Sequence, residues 1–364
     1  MGKSEPSALQ CSRIKDSDVE SLQALIGRIL HEGGSHNAGQ FSAALWDWQY
    51  RRLPSGEAHV FVIKNGNDIV GYYHAPVYHC RVGGRLEKVA VVQDVATISA
   101  VRGRGVFRRL ASYAVSELTK LDIGFIYTFP NARSIRTFLK YTGYEMVLSY
   151  DAYVLPVRSR VILDSQLRFP GLNAVAGAML DTWTRSRCRR MDEGGRITVE
   201  EQINSEVAAL FDSFSQSFQC GLVRDESYLR WRFVDKPEST HYCFSYLVDD
   251  RVKAAAIFKV DTMFGVPALV LLDFAFAGQS LEKLGTIVGY AARKAQAVIE
   301  QDIALIFASF SNPAFLGKSR FGFLKVPARL NPRPLHLLVN NVKGLDAVSN
   351  RDSWHATLAD WDVF

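Results

Sequence analysis

Residues 92–109 read VQDVATISAVRGRGVFRR, and this stretch decides the fold of the chain around it. An apolar strand pattern leads into Arg102-Gly-Arg-Gly105, and a helical pattern follows at Phe107, Leu110, Ala114 and Leu118. Glycine tolerates positive φ, so such a loop can turn several backbone N–H groups toward one anion at the positive end of a helix. The stretch therefore predicts a phosphate-binding loop, although a plain helix entry with solvated arginines would share this sequence.

The segments on both sides of this loop alternate predicted helices and strands. Apolar residues at helical spacing predict helices near 19–29 and 41–51, and Asn65-Gly-Asn-Asp68 predicts a hairpin turn. The other predicted elements are strands 58–64, 69–79, 86–99, 123–129 and 144–154 and helices 107–120 and 131–141. This order predicts an α/β (α+β) unit with a mixed, mainly antiparallel sheet flanked by helices.

The second half of the chain repeats the first. Residues 48–54 (WQYRRLP) and 231–237 (WRFVDKP) share the spacing Trp-x-aromatic-x₃-Pro at an offset of 183 residues, and a hairpin pattern follows each. The later matches are VQDVAT with LLDFAF (92–97 and 271–276) and FIYTFPN with LIFASFSN (125–131 and 305–312). A colinear series of this kind predicts a duplication, and therefore two tandem copies of one fold.

The loop and its context resemble the GNAT superfamily, the Gcn5-related N-acetyltransferases. The resemblance rests on Arg102-Gly-Arg-Gly105 after a long strand and on TFPN and TGYEMV beyond it, and it covers residues 12–155 well and 196–364 weakly. It implies an acyl-CoA co-substrate, with the pyrophosphate on the loop and the pantetheine on the preceding strand. The residues implied are Val95, Ala96, Thr97, Arg102, Gly103, Arg104, Gly105, Val106, Phe107 and Asn131.

The sequence departs from that family in two places. Many members carry a tyrosine four residues before the glycine of the closing motif, where it can protonate the leaving thiolate. Here that position is Leu139, and Tyr141 stands at a different helical angle. In the second copy, FAGQSLEKLG (276–285) replaces the glycine–arginine loop and lacks its cations. We therefore expect one donor site per chain.

The repeat also sets the expected domain boundaries. They are a GNAT domain binding acyl-CoA at 1–155, a basic helical linker at 156–195, and a degenerate GNAT-like domain at 196–364 for acceptor binding or support. Residues 156–196 contain eight arginines and four acidic residues, a net charge of +4. Within them, LNAVAGAMLDTW (172–183) predicts an apolar helix too short to span a bilayer. Packing between domains and peripheral membrane contact through 170–190 are both open.

Three residues of the first copy are candidates for the base that takes a proton from the amine. Asp94 lies in an apolar run, where an unpaired carboxylate is costly, so it is either catalytic or paired inside the fold. Asp273 at the matching position of the second copy favours the structural interpretation. His74 and His79 on the second strand either line the same cleft or face solvent.

The segment 354–364 supplies further acidic candidates. Asp360 and Asp362 are two residues apart, so on a strand their side chains would project from the same face. Acidic residues in such a segment are usually solvated. The alternative hypothesis is that Asp360, Asp362 or the carboxylate of Phe364 completes the active site of the first copy, as the chain end does in some multi-domain relatives.

Composition narrows the cofactors and the compartment. The five cysteines show no metal-ligand spacing, which predicts reduced thiols in a cytoplasmic protein and no metal cofactor. The N-terminus lacks an apolar signal core. The net charge of +6 attracts anionic partners without choosing among them. No nucleic-acid partner is expected, because the arginines lack interleaved aromatic residues.

These observations predict an enzyme, an acyl-CoA-dependent N-acyltransferase of the EC 2.3.1 type. Tyr228–Pro237 (YLRWRFVDKP) in a tandem chain of this length resembles bacterial N-acyltransferases of surface-polysaccharide biosynthesis, which implies a nucleotide-linked amino sugar as the acceptor. Linker arginines would then hold the diphosphate. The alternatives are another amine (an amino acid, aminoglycoside or peptide) or a non-catalytic acyl-CoA-binding scaffold. A monomer and a dimer both fit the sequence.

Overall fold

A computed structural model describes residues 9–32, 42–167, 169–188, 194–278, 281–311, 321–331 and 334–361. The strands are β1 (Gln10–Arg13), β2 (Ala58–Asn65), β3 (Asp68–Val82), β4 (Arg85–Val92), β5 (Val95–Thr97), β6 (Phe125–Thr128), β7 (Glu145–Ser149), β8 (Asp151–Pro156), β9 (Gly195–Glu200), β10 (Cys220–Leu222), β11 (Tyr242–Val248), β12 (Arg251–Met263), β13 (Val266–Phe276), β14 (Leu305–Phe310), β15 (Leu324–Lys325) and β16 (His336–Asn340). The helices are α1 (Val19–Glu32), α2 (Ala43–Tyr50), α3 (Val106–Leu118), α4 (Ile135–Tyr141), α5 (Ser159–Gln166), α6 (Pro170–Arg187), α7 (Ser205–Ser215), α8 (Glu226–Leu229), α9 (Leu281–Ile299) and α10 (Asp346–Ser349). None of these described helices combines the length and the apolar character that a membrane span requires.

The chain forms two compact units that do not follow the order of the sequence. The first unit comprises Met1–Leu148 and His336–Arg351, and the second comprises Ser149–Leu335 and Asp352–Phe364. The contiguous division expected from the repeat, with a boundary at 155 and a separate linker, therefore differs from the structure. The helices of the expected linker, α5 and α6, belong to the second unit.

The sheet of the first unit has the order β1-β2-β3-β4-β6-β16-β7, with β5 beside β3. Side chains alternate between its two faces, because successive residues of a strand point in opposite directions. Phe61, Ile63 and Tyr73 pack in a cluster with α3, whereas Val62 and Tyr72 pack in a second cluster with α1 and α2. Burial on both faces explains why these strands read as nearly continuous apolar runs.

The sheet of the second unit has the order β15-β8-β14-β13-β12-β11-β9. Strands β9, β11, β12, β13 and β14 repeat the roles of β1, β2, β3, β4–β5 and β6, in the same sequence and with the same parallel pairing at the last step. The expectation of two tandem, mixed and mainly antiparallel sheets flanked by helices is confirmed.

Each unit takes up a strand from the other half of the sequence. Strand β16 lies between β6 and β7 in the first unit, with Asn340 opposite Ile126. Strand β8 lies between β14 and β15 in the second unit, with Pro156 opposite Leu305. The single strand predicted at 144–154 is therefore wrong. It ends at Ser149, and the Tyr150 N–H donates to the carbonyl of Leu335 at 2.9 Å within the second unit.

Candidate active site

A β-bulge at Gln93 and Asp94 interrupts the long strand predicted at 86–99. Both residues lie opposite His74 of β3. The His74 N–H donates to the Asp94 carbonyl at 2.9 Å, and the Gln93 N–H donates to the His74 carbonyl at 3.2 Å. Two residues opposite one bend a strand. Strand β4 pairs with β6 up to Val92. Beyond the bulge, β5 pairs with β3, so the sheet opens between β5 and β6.

The backbone of β5 presents hydrogen-bonding groups to this opening. Toward β3, the Asp94 carbonyl accepts from His74 and the Ile98 N–H donates to the Val70 carbonyl at 3.0 Å. Backbone groups alternate in direction along an antiparallel strand, so those of Val95 and Thr97 point into the opening. The Thr97 carbonyl accepts from Arg102 Nε at 3.3 Å. The amide of Val95 therefore faces the place where the resemblance puts a pantetheine arm.

The loop after β5 owes its shape to two glycines. Gly103 has φ +78° and Gly105 has φ +75°, in the left-handed region that favours glycine. A Cβ at Gly103 would meet nothing within 4 Å, so the conformation and not crowding requires glycine there. Gly105 is the N-cap of α3, whose first N–H groups have no acceptor within the helix. The loop and the helix end together form a concave array of donors for an anion.

A cleft of about 900 Å³ connects this loop with the opening beside β5. All the residues predicted to hold the donor line it: Val95, Ala96, Thr97, Arg102, Gly103, Arg104, Gly105, Val106, Phe107 and Asn131. Arg108 and Arg133 add two further cations, and none of the described residues that line the cleft is acidic. A cationic cleft that is apolar along one wall suits a phosphorylated molecule with a long neutral arm.

Helix α4 contributes a wall that the sequence only partly predicted. The Asn131 Oδ1 accepts from the Arg133 N–H at 2.9 Å and from the Ser134 N–H at 3.1 Å, which fixes the turn before the helix. Tyr141 also lines the cleft, and Leu139 is not among the lining residues. Hydrogen bonding to Lys140, and then the charges of Lys140 and Arg108, lower the pKa of Tyr141. The exposed Tyr141 is therefore a candidate proton donor. Counting back four residues from the closing glycine had pointed to Leu139 instead.

The carboxylate of Asp94 is half-buried and is held by the end of α2. Gln49 Nε2 donates to Asp94 Oδ2 at 2.5 Å, and the Tyr50 hydroxyl donates to the same oxygen at 3.4 Å. No role for Gln49 and Tyr50 was predicted from the sequence. The signal that could have found them is their position inside the repeated Trp-x-aromatic motif at 48–54, which faces the bulge.

His74 packs behind this carboxylate. Its ring is fully buried and stacks on Tyr50 with centroids 4.0 Å apart, and Tyr50 stacks on Trp46 at 4.1 Å. Burial lowers the pKa of His74 to about 3. A ring that stays neutral at physiological pH orders Tyr50 by stacking and is poorly suited to take a proton from an amine. His79 is exposed and lies opposite Lys88 on β4.

Asp360 lies in the second unit and has a structural partner. Its Oδ2 accepts from Arg224 Nη2 at 2.7 Å, and Arg224 Nε donates to Asp273 Oδ2 at 2.8 Å. Arg224 is 1% exposed and Asp360 is 5% exposed. The structure therefore gives Asp360 the role of completing a buried ion cluster. Asp362 and Phe364 lie outside the described residues.

The second unit repeats the bulge but fills its opening with protein. Ile257 faces Asp273 and Phe258 faces Leu271, so Leu272 is the additional residue. Beyond Leu271, where β13 and β14 part, residues 354–357 bridge them. The Ser311 N–H donates to the Ala356 carbonyl at 2.8 Å, and the Thr357 hydroxyl donates to Asp273 Oδ1 at 3.1 Å. The place that the cleft occupies in the first unit is thus taken by the chain itself.

Comparison with known proteins agrees with this geometry. The family described as "Acetyltransferase (GNAT) domain" matches residues 11–147. A GCN5-related N-acetyltransferase from Anabaena variabilis is similar in structure, with a TM-score of 0.64 and 12% identity over 92% of this chain and 73% of that chain. A tandem GNAT protein from the clavulanic acid biosynthesis pathway has a TM-score of 0.58 and 12% identity over 92% and 99%.

N-myristoyltransferase from Saccharomyces cerevisiae, solved with bound myristoyl-CoA, has a TM-score of 0.58 and 11% identity over 93% of this chain and 85% of that chain. At such identities the structures establish the fold alone. No curated protein sequence matches the chain significantly.

Residues 11–147 match the GNAT acetyltransferase domain, which supports an acyl-CoA-dependent N-acyltransferase as the class of enzyme. The resemblance predicted from the glycine–arginine loop is confirmed. The chain is a tandem member of that fold, and the cleft described above lies in its first unit. Among the residues that the structure describes, no three or more His, Cys, Asp and Glu side chains converge as metal ligands would.

Proposed function

We propose that this protein transfers an acyl group from acyl-CoA to the primary amine of a nucleotide-linked amino sugar, in the biosynthesis of a surface polysaccharide. The observation that carries the proposal is the cleft of the first unit, which the loop Arg102–Gly105 and the opened strand β5 line together. The half-buried Asp94 directly precedes β5 in the chain. We place the reaction in the cytoplasm, in keeping with free cysteines at 11, 80, 188, 220 and 243.

The donor is held at its two chemically distinct parts. Backbone N–H groups of residues 102–107 receive the diphosphate, and the exposed guanidiniums of Arg102 and Arg104 neutralise its charge. The neutral pantetheine arm extends along β5, where the amide of Val95 points into the opening. This arrangement places the thioester beside the bulge that carries Asp94.

The transfer needs few groups once the reactants are positioned. The amine nitrogen attacks the thioester carbon, the C–S bond breaks, and the products are an amide and a free thiol. The Val95 N–H stabilises the negative charge that develops on the carbonyl oxygen. Asp94 accepts the proton that the amine loses, and Tyr141 supplies a proton to the departing thiolate, which its lowered pKa favours.

Asp94 is suited to the role of base because its carboxylate is held in place. Gln49 and Tyr50 both donate to Oδ2, which fixes the carboxylate plane. Fixed geometry of this kind contributes much of the acceleration in acyl transfer. The stacked rings of Tyr50 and His74 hold the donor hydroxyl in turn.

The hypothesis that residues 362–364 complete the active site stays a prediction, and it is tested best by deleting these three residues alone. A deletion that begins at Asp360 would break its ion pair with Arg224, so loss of activity would be uninformative. Deleting only 362–364 preserves that pair and the bond from Arg232 Nη2 to the Trp361 carbonyl at 2.6 Å. A loss of turnover with an unchanged melting temperature would support the hypothesis, and full turnover would contradict it.

The acceptor proposal rests on charge and on the resemblance of Tyr228–Pro237. The net charge of +6 favours a phosphorylated acceptor over a cationic aminoglycoside. Two arginines expected to hold its diphosphate already have acidic partners: Arg158 contacts Asp302 at 2.7 Å and Arg160 contacts Asp164 at 3.4 Å. The basic segment therefore does not carry this part of the proposal.

A matrix of donors and acceptors tests the proposal directly. Free-thiol release is measured for acetyl-CoA and longer acyl-CoAs against nucleoside-diphosphate amino sugars, aminoglycosides, amino acids and peptides. We expect turnover with an amino-sugar nucleotide, with a KM that rises with salt because surface charges are screened. Turnover only with an unphosphorylated amine would contradict the acceptor. Stabilisation by acyl-CoA of about 2.7 kcal/mol at 100 Kd without turnover on any amine would indicate a scaffold.

A further inference from the structure

Helix α6 turns its large apolar side chains toward solvent. Leu172 is 68% exposed, Val175 is 56% exposed and Met179 is 68% exposed. Their spacing of three and four residues places them in one stripe along the helix. The buried side consists of small and polar residues: Asn173, Gly177 and Thr184. This is the reverse of the usual surface helix, which buries its apolar stripe and exposes its polar face.

The polar side of α6 is fixed against α5, so the stripe cannot turn inward. A Cβ at Gly177 would lie 2.8 Å from the backbone nitrogen of Arg160, which shows how closely the helices approach. Asp181 Oδ1 accepts from the Ser159 N–H at 2.8 Å and so satisfies a donor at the start of α5. Asn173 Nδ2 donates to the Asp164 carboxylate at 2.9 Å.

The apolar surface continues into the turn before the helix. Leu167 is 47% exposed and Phe169 is 63% exposed. Five large apolar side chains within thirteen residues form a cluster, whereas single exposed apolar residues are normal on any surface. We call the five residues Leu167, Phe169, Leu172, Val175 and Met179 the α6 stripe.

Positive charge flanks the α6 stripe. Arg185 and Arg187 are both exposed in the last turn of α6. The guanidinium carbon of Arg187 lies 5.6 Å from the centroid of the half-buried Trp183 ring. An indole beside a cation suits the boundary between an apolar layer and its polar surface.

We propose that α6 and the turn before it bind an anionic lipid bilayer, with the α6 stripe in the interface and the arginines on the headgroups. A bilayer supplies an apolar layer and negative charge together, as the residues of this surface require. A second copy of the chain would set arginines against arginines around the stripe, which opposes association. This surface belongs wholly to the second unit and does not depend on the donor cleft.

Sedimentation of the full-length protein with lipid vesicles tests the proposal. We expect binding to phosphatidylcholine vesicles that contain about 30 mol% phosphatidylserine, and weak binding without the anionic lipid. Changing Leu172, Val175 and Met179 together to Ser should weaken binding at least about tenfold. Changing Arg185 and Arg187 together to Gln should weaken it about 25-fold, at roughly fivefold for each charge.

A matched control changes three exposed apolar residues elsewhere, Leu86, Val298 and Leu330, to Ser. This variant should bind vesicles like the unchanged protein, and all variants should keep the circular dichroism spectrum and the melting temperature of the unchanged protein, which confirms folding. Absence of binding to anionic vesicles, or equal binding by the stripe variant, would overturn the proposal. So would a dimer in light scattering that the stripe variant dissociates, because the surface would then join two copies.

Discussion

The two units place an aspartate at the same β-bulge and surround it differently. In the first unit Asp94 is half-buried, and Gln49 and Tyr50 donate to it. In the second unit Asp273 is 0% exposed and pairs with Arg224. Burial is the main influence on Asp273 and raises its pKa, while Arg224 opposes that rise. The bulge is thus a common frame that holds one aspartate half-buried and the other inside the core.

The openings beyond the two bulges differ in the same way. In the first unit the opening leads to a glycine loop and four arginines. In the second, residues 354–357 join the ends of β13 and β14 through Ser311 and Asp273. A duplicated fold has kept one ligand cleft and has closed the other with its own backbone. The contrast supports one donor site per chain.

Exchanging each bulge aspartate for Asn tests this contrast most strongly. We expect Asp94→Asn to lower kcat/KM by about 10²- to 10⁴-fold, because the proton acceptor is lost. Its free energy of unfolding should change by less than about 1 kcal/mol, since the amide can keep a hydrogen bond. Asp273→Asn should instead cost about 3 kcal/mol of stability, because Arg224 loses a buried counter-charge, and kcat/KM should change little.

Steady-state kinetics and urea unfolding on both variants measure the two effects. Undiminished activity of Asp94→Asn would remove this residue from the mechanism. Equal stability losses at both positions would mean that Asp94 is a core residue like Asp273.

The glycines of the loop provide the next largest effect. Changing Gly103 and Gly105 together to Ala should weaken acyl-CoA binding about 100-fold, since each left-handed Ala costs roughly 1–2 kcal/mol. Gly278→Ala is the matched control. Its φ is +61° with nothing within 4 Å of a Cβ, and it lies in the second unit. Isothermal titration with acyl-CoA should show loss of affinity for the first variant alone. Equal affinity for both variants would refute the role of the loop Arg102–Gly105 in binding the diphosphate.

The smallest expected effect is on the pH dependence of stability, and it comes from the residue opposite each bulge. His74 occupies this place in the first unit and Ile257 in the second. Burial depresses the pKa of His74 to about 3, so its neutral form contributes stability that is full above pH 6.5 and is lost as pH falls toward 3. We expect His74→Ile to reduce the loss of unfolding free energy between pH 7 and pH 5 by about 2 kcal/mol.

Urea titrations at several pH values measure this slope. His241, whose pKa burial also lowers to about 3, still contributes in the variant, so part of the pH dependence should remain. An unchanged slope in His74→Ile would show that His74 titrates normally in the folded protein.

The sequence predicted the features that depend on local pattern. The loop Arg102–Gly105 could be recognised because positive φ and a helix start are encoded in a few adjacent residues. The resemblance to the GNAT superfamily then implied the other residues that line the cleft. The repeat predicted the equivalence of Asp94 and Asp273, which now lie at matching bulges.

Features that depend on contacts between distant residues were not predictable in this way. The hydrogen bond from Gln49 to Asp94 spans 45 residues, and the repeated motif around Gln49 does not indicate which residue Gln49 contacts. The contact of Asp360 with Arg224 spans 136 residues and turned an apparent surface acid into a buried ion-pair partner. The exchange of β8 and β16 was missed because both strands have ordinary strand patterns and differ only in where they pair.

The exchanged strand β16 makes the first unit dependent on a segment that is synthesised only after the intervening Ser149–Leu335. The sheet position between β6 and β7 stays empty until His336–Asn340 leaves the ribosome. Translation of the intervening Ser149–Leu335 takes roughly 10 to 40 seconds at the usual rates of chain growth. During that time Phe125–Thr128 presents an unpaired edge, a template for pairing with other nascent chains. Completion of the sheet beside the cleft therefore lags behind synthesis of the residues that line the cleft.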